Sequence, residues 1–245
     1  MSINVLEIRN YLLQPDMREH FIDYFEANFI HTLEAENMHV LGQFRLIGEP
    51  DHFVWLRGYT DMQSRGVSLP AFYDGPVWQK HRTLTNSMII DSDNVHLLRP
   101  LDFGVDLTCG QTATTVAAAL AESTLSLNTG VIAVDFYQAI PKALNILTDI
   151  FRTDIAALYR NEGVQLRGVF AAEMSQNTFP RHPAIQNRHE LVVITAYENE
   201  STARTQRARL APIITQTCGK FLDTVSESLL LNPTLRSPLR YFQLE

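Results

Sequence analysis

A chain of 245 residues, 45% apolar and 19% charged, is long enough to bury a sizeable core in one large domain or two small ones. Its net charge of −7 argues against a nucleic-acid partner, because neutralising phosphates needs Lys and Arg in excess. Two cysteines, Cys109 and Cys218, are too few for a disulfide scaffold or a Cys-based metal cluster, and no apolar run is long enough to span a membrane. A strand pattern begins at Ile3 and leaves no room for a leader peptide, so a cytoplasmic location is expected.

Val5 to Leu12 alternates, with Val5, Glu7, Arg9 and Tyr11 on one face and Leu6, Ile8, Asn10 and Leu12 on the other, as in a half-buried strand. Asp16 and Glu19 have capping-box spacing, and Met17, Phe21, Phe25 and Phe29 follow at fours along an amphipathic helix. Val40 to Ile47 and Phe53 to Thr60 read as paired strands around the turn Glu49-Pro50-Asp51. A helical stretch from Ser64 breaks at Gly75-Pro76 and continues to about Met88. Asp91 to Asn94 then reads as a loop and Val95 to Arg99 as a fourth strand. The order βαββαβ is a ferredoxin-like unit.

Residues 101–128, rich in Thr, Ala and Ser, read as a linker, helical over Ala117 to Leu127. Beyond it the pattern returns. VLEIRNYLLQP from Val5 lies over VIAVDFYQAIP from Val131, an offset of 126 residues that sets Tyr11 on Tyr137, Pro15 on Pro141 and Gly42 on Gly168. The next strands are Gln165 to Met174 and Glu190 to Tyr197. A helix along Leu210, Ile214, Thr217, Phe221 and Val225 follows, with a closing strand from Pro238 to Leu244. The expected fold is α+β: two tandem ferredoxin-like repeats, 1–100 and 129–245 around the linker 101–128, pairing sheet to sheet as an α+β barrel. A homo-oligomer of the whole chain is compatible with this reading.

VLGQF, FVWLRGYTDM, FYDGPVWQKHR and DSDNVHLLRP resemble the NIPSNAP family of the dimeric α+β barrel group, over roughly Val5 to Pro100. The resemblance implies a ferredoxin-like fold and barrel-forming pairing. It implies no settled activity, although the wider group includes cofactor-free oxygenases and peroxidases.

On the third strand Phe53, Trp55, Arg57 and Tyr59 share one face and Val54, Leu56 and Gly58 the other. Helices are expected over the Val/Leu face. The aromatic and guanidinium face would then look into the barrel, where Arg9, Tyr11, Gln43, Arg45, Trp55, Arg57 and Tyr59 would meet. Opposite them would stand a largely apolar set from the second repeat, Asp135, Tyr137, Val169, Ala171, Val192 and Ile194. Arginines there suit a carboxylate or enolate ligand, unless they pair with Glu7 and Asp135 as a structural network. Trp78 and His81, on one helical face, with Tyr73, form a second constellation, in which His81 or Tyr73 would move a proton. The bland readings are a core Trp78 and a surface His81.

Asp91, Asp93 and Asn94 lack the glycine and distal Glu of a calcium loop, and no histidine pair has ligand spacing, so neither metal nor nucleotide cofactor is expected. Two functions follow as expectations. One is binding or conversion of a small anionic or aromatic molecule in the barrel cavity. The other is a non-catalytic interaction module with a structural barrel.

Overall fold

The computed structural model describes residues 3–123, 128–186, 188–223 and 227–242. The first repeat runs β1 (Val5–Leu13), α1 (Arg18–Asn28), α2 (Ile30–Ala35), β2 (His39–Leu46), β3 (His52–Tyr59), α3 (Met62–Tyr73), α4 (Pro76–Ser87) and β4 (Ile89–Pro100). A connecting segment carries α5 (Ala113–Ala121). The second repeat runs β5 (Val131–Gln138), α6 (Leu144–Ile150), α7 (Ala156–Asn161), β6 (Gln165–Ala172), β7 (Glu190–Tyr197), α8 (Glu200–Cys218) and β8 (Glu227–Pro233). One π-helical turn, Phe151–Ile155, joins α6 to α7.

The eight strands form a closed barrel in the order β1-β3-β2-β8-β5-β7-β6-β4. Each repeat therefore contributes a four-stranded sheet of the same order, β4-β1-β3-β2 and β8-β5-β7-β6. The two seams are equivalent. Phe44 to Leu46 pairs with Leu231 to Pro233, and Leu98 to Pro100 pairs with Phe170 to Ala172. Closure leaves no unpaired strand edge in the barrel, which removes the usual route to edge-to-edge association.

One face of every strand packs into a single apolar cluster that includes Leu6, Ile8, Phe44, Val54, Leu56, Leu98, Val134, Phe170, Ile194 and Leu231. Residues from all eight strands can meet only in the lumen, so the lumen is filled, as expected of an eight-stranded barrel just wide enough for its own side chains. The opposite faces join two further clusters, one under the helices of each repeat.

This overturns the face expected from the sequence. Val54 and Leu56 point into the barrel, while Trp55, Arg57 and Tyr59 point into the helical layer. The physical reason is desolvation. The lumen around Val54 and Leu56 is apolar, whereas the outer face gives Arg57 the Glu7 carboxylate. The expected opposing set divides in the same way. Val192 and Ile194 lie in the lumen, whereas Tyr137 and Val169 lie under the helices of their own repeat.

A shared device marks the repeat. Gly42 and Gly168 each follow a register shift in their strand, and a Cβ at either would meet the ring two residues on, Phe44 at 2.3 Å or Phe170 at 2.5 Å. The ring folds back over the bare backbone at both sites. This gives the Gly-x-Phe repeat of the sequence its steric cause.

Other local expectations change. Met17, not Asp16, is the residue before α1, and no side chain caps it. The capping box lies at Asp61 and Ser64, which start α3. Gly75 ends the helix pair because a Cβ there would meet the Ala71 carbonyl at 2.6 Å, and Pro76 begins α4. Asp91 to Asn94 belongs to β4 rather than a loop. The closing strand is Glu227–Pro233, not Pro238 onward. The expected positions of Leu127, Val225 and Leu244 lie outside the described residues.

Truncation in the lumen should be costly. Phe44→Ala is expected to lose about 3–5 kcal/mol, the usual cost of a buried aromatic, whereas Leu84→Ala on the exposed side of α4 should change little. Denaturant midpoints of the two variants provide the check.

Candidate functional site

The buried face of β1 and β3 carries one carboxylate and several cations. Glu7 accepts from Arg57 Nε at 2.6 Å, Arg65 Nε at 2.6 Å and Arg9 Nη1 at 3.0 Å. All four side chains are at most 1% exposed. Burial alone would raise the Glu7 pKa, but Arg57, Arg9 and Arg65 together hold it far below the usual carboxylate range. Three guanidiniums on one carboxylate leave two positive charges in excess inside the protein. Arg57 Nη2, Arg65 Nη2, Tyr59 Oη and Trp55 Nε1 find no hydrogen-bond partner among the described residues.

Next to this cluster lies a cleft of about 420 Å3 between the outer face of the sheet and the helices. Tyr11, Trp55, Tyr73 and His182 line its end beside the charged cluster, here called the deep end, and Phe21, Phe25, Phe29, Phe72 and Trp78 line it elsewhere. The deep residues touch the charged cluster directly. Arg9 Nε donates to the Tyr11 hydroxyl at 3.0 Å. The Arg57 guanidinium sits 5.1 Å from the Trp55 ring centre and is close enough to Tyr73 to act on it electrostatically. Burial raises the Tyr73 pKa against the pull of Arg57, so the phenol is protonated at neutral pH.

His182 comes from the other repeat. Five residues, 47–51, join β2 to β3, but seventeen, 173–189, join β6 to β7. The longer connection crosses to the first repeat. There Asn177 and Thr178 accept from Arg65 at 2.9 and 3.0 Å, and Arg181 forms a bidentate pair with Asp74 at the cleft mouth. The His182 ring lies 4.2 Å from that of Tyr73, and its Nδ1 lies 3.4 Å from Arg9 Nη2. Arginine only donates, so Nδ1 accepts and the neutral ring carries its proton on Nε2. Burial, then Arg9 and Arg57, push the His182 pKa down to about 3. His182 is thus a neutral donor in this cleft.

The residues singled out from sequence divide sharply. Arg9, Arg57 and Tyr59 share the buried cluster, and Tyr11, Trp55, Tyr73 and Trp78 line the cleft beside it. Arg45 does not join them. It is partly exposed and bound to Glu19 of α1 at 2.5 Å. Gln43 is buried with both amide atoms unpartnered, but it does not line the cleft. His81 bonds the Tyr24 hydroxyl at 2.5 Å and packs on Phe29, outside the cleft lining. Asp135 pairs with Arg207 of its own repeat, not with the arginines of β1 and β3.

Sequence reasoning missed Arg65 and His182. Arg65 left a signal, since it interrupts the buried stripe it shares with Leu69 and Phe72 on α3. His182 left none, because only the fold of the longer connection carries it to the other repeat.

Residues 6–104 match the family model described as NIPSNAP. The first repeat is thus similar to the NIPSNAP domain. An uncharacterised NIPSNAP-like domain protein from Burkholderia xenovorans is 24% identical, over 42% of this chain and 90% of its own, with a TM-score of 0.39. Two solved structures span both the first repeat and the second, and each is described as a “putative monooxygenase”. The one from Fusobacterium nucleatum is 10% identical and covers 99% of each chain, with a TM-score of 0.62. The one from Lactobacillus acidophilus, also 10% identical, covers 95% of this chain and 94% of its own, with a TM-score of 0.60. At that identity the likeness carries the fold alone. No curated protein matches the sequence. No helix among the described residues is long and apolar enough to cross a membrane.

Glu7 sets a pH dependence. Its folded pKa is depressed, so its contribution to stability is complete above the unfolded value of roughly 4.3 and is lost as pH falls below it. Glu7→Gln should cost about 3–5 kcal/mol at pH 7, the usual result of leaving buried charge unpaired. It should also flatten the acid limb of a stability-against-pH curve measured by urea unfolding. His182 has a depressed pKa too, so the unfolded chain takes up its proton first, from about pH 6.5 downward. Its ring resonances are expected to stay at their neutral positions from pH 7 to about 4 in an NMR titration.

Proposed function

We propose that the cleft of the first repeat binds a small aromatic molecule bearing an oxyanion or carboxylate, with Tyr73 as the group that exchanges a proton with it. The observation that carries this reading is the buried charge imbalance. Arg9, Arg57 and Arg65 share one carboxylate directly behind a wall of aromatic rings. Uncompensated positive charge in a low-dielectric interior favours an anion at the nearest accessible point, which is the deep end of the cleft.

Each residue has a role in this reading. Phe25, Phe29 and Trp78 pack on the faces of the ring, with Trp55 at its edge. His182, through Nε2–H, and Tyr11 donate to the ligand oxygens. The Tyr73 phenol, in the field of Arg57, gives or takes the proton as the ligand passes between its neutral and ionised forms. The arginines lower the energy of the ionised form electrostatically, without needing to touch it. An aromatic enolate or phenolate is electron-rich, so oxygenation is a reasonable reaction class to test, given the description borne by proteins of the same fold.

A non-catalytic module with a structural barrel is the alternative. It is favoured by one observation: each of the three arginines already bonds Glu7.

The two tryptophans of the chain, Trp55 and Trp78, both line the cleft, so intrinsic emission reports on it directly. 4-Nitrobenzoate is expected to quench that emission saturably and to bind about tenfold tighter than neutral 4-nitrobenzyl alcohol, a difference of about 1.4 kcal/mol. Arg9→Gln should erase most of that preference. Equal affinity for the two probes would remove the electrostatic basis of the proposal and leave the structural reading.

A further inference from the structure

The second repeat has its own cleft, about 550 Å3, between its sheet and helix α8. The internal repeat places it where the first cleft lies. Tyr137 stands at the position of Tyr11, and Tyr197, like Tyr59, is the last residue of the third strand of its repeat. The counterpart of the 173–189 connection is the five-residue turn at 47–51, too short to cross over, so this cleft has no strap from the other repeat.

Its chemistry differs from that of the first. Asp135 is held by Arg207 through two bonds of 2.7 and 2.6 Å, and Arg207 also bonds Ser228 at 2.7 Å. That pair is neutral, and Asp223 adds negative charge at the rim. Here there is no surplus of cations.

Three phenols, Tyr137, Tyr159 and Tyr197, lie in the floor, each no more than 9% exposed. Phenylalanine would fill the same space without a hydroxyl to satisfy, so three buried phenols on one floor call for a reason. Tyr137 and Tyr159 lie side by side, and a bond between them would use at most one of their two O–H protons. Tyr197 accepts from Thr195 at 3.2 Å, with Arg207 close by, which leaves its own proton to donate. The floor therefore has donors to offer and a net charge that repels anions.

We infer that this cleft is a second binding site, selective for uncharged carbonyl compounds such as aryl ketones, whose oxygen accepts from the floor phenols while the apolar body lies along Leu210, Ile214 and Leu222. The site is independent of the reading of the first cleft, and the two select by opposite electrostatic means.

The test uses the full chain and two fluorescent probes. Prodan is a neutral aryl ketone whose emission moves to the red when its carbonyl accepts a hydrogen bond, and 1-anilinonaphthalene-8-sulfonate is an anion of similar size. Prodan is expected to bind saturably and not to be displaced by 4-nitrobenzoate, with the sulfonate at least tenfold weaker at the same site. Ala211→Trp and Thr215→Trp, on the exposed lining of α8, should each weaken Prodan at least tenfold while far-UV circular dichroism is unchanged. Tyr159→Phe or Tyr197→Phe should shift bound emission to the blue, an effect that loss of packing alone does not produce. Prodan binding that survives both tryptophan variants, that 4-nitrobenzoate displaces, or that keeps its emission in both phenylalanine variants would overturn the inference. Absence of saturable Prodan binding would overturn it too.

Discussion

Closure of the barrel is the constraint from which the other features follow. Two four-stranded sheets meet at equivalent seams, and each uses its last exposed edge to hydrogen-bond the other. Once the ring is closed, the lumen is sealed from water and fits only the side chains that line it. Aliphatic residues take most of that space, with Phe136 and the two folded-back phenylalanines Phe44 and Phe170. Most charged groups on the first sheet, Glu7, Arg9, Arg45 and Arg57 among them, lie on the outer face, whereas the lumen side holds a buried pair of its own, His96 with Glu190 at 2.9 Å.

That displacement gathers buried charge and phenols in the layer between sheet and helices. In the first repeat Glu7 gathers Arg9, Arg57 and Arg65, one from the helical layer and two from strands. A network of this kind contributes little net stability, since desolvation offsets most of the attraction, yet breaking it is severe. In the second repeat the same layer holds one neutral pair, Asp135 with Arg207, among three phenols. Duplication of one fold has thus produced two clefts of like position and unlike electrostatics. The twelve extra residues in the 173–189 connection sharpen the difference, because they bring His182 and Arg181 of one repeat to the cleft of the other.

Much of the architecture is legible in the residues. Strand alternation, the Gly75-Pro76 break and the 126-residue offset give the two repeats in order, because each is a local signal with a period of its own. The partnership of Arg9, Arg57 and Tyr59 is also legible, since they share one strand face. Arg45 obeys the same parity but lies nearer the strand end, where Glu19 of α1 reaches it first. His81 has the spacing of a cleft residue, yet Tyr24 captures its imidazole. Competing local partners of this kind leave no mark in a pattern of hydrophobic and polar positions.

The sequence by itself determined that there are two ferredoxin-like repeats, that their exposed faces must pair, and that one repeat concentrates arginine and aromatic side chains. It could not determine which face of each strand looks inward. Both faces of β3 are apolar enough to be buried, and alternation distinguishes the two without orienting them. Only the tertiary structure decided that Val54 and Leu56 fill the lumen and that Trp55 and Arg57 meet the helices. The reason is that the lumen beside β3 is filled by apolar side chains from all eight strands, so the guanidinium had to go to the side where the Glu7 carboxylate could answer it.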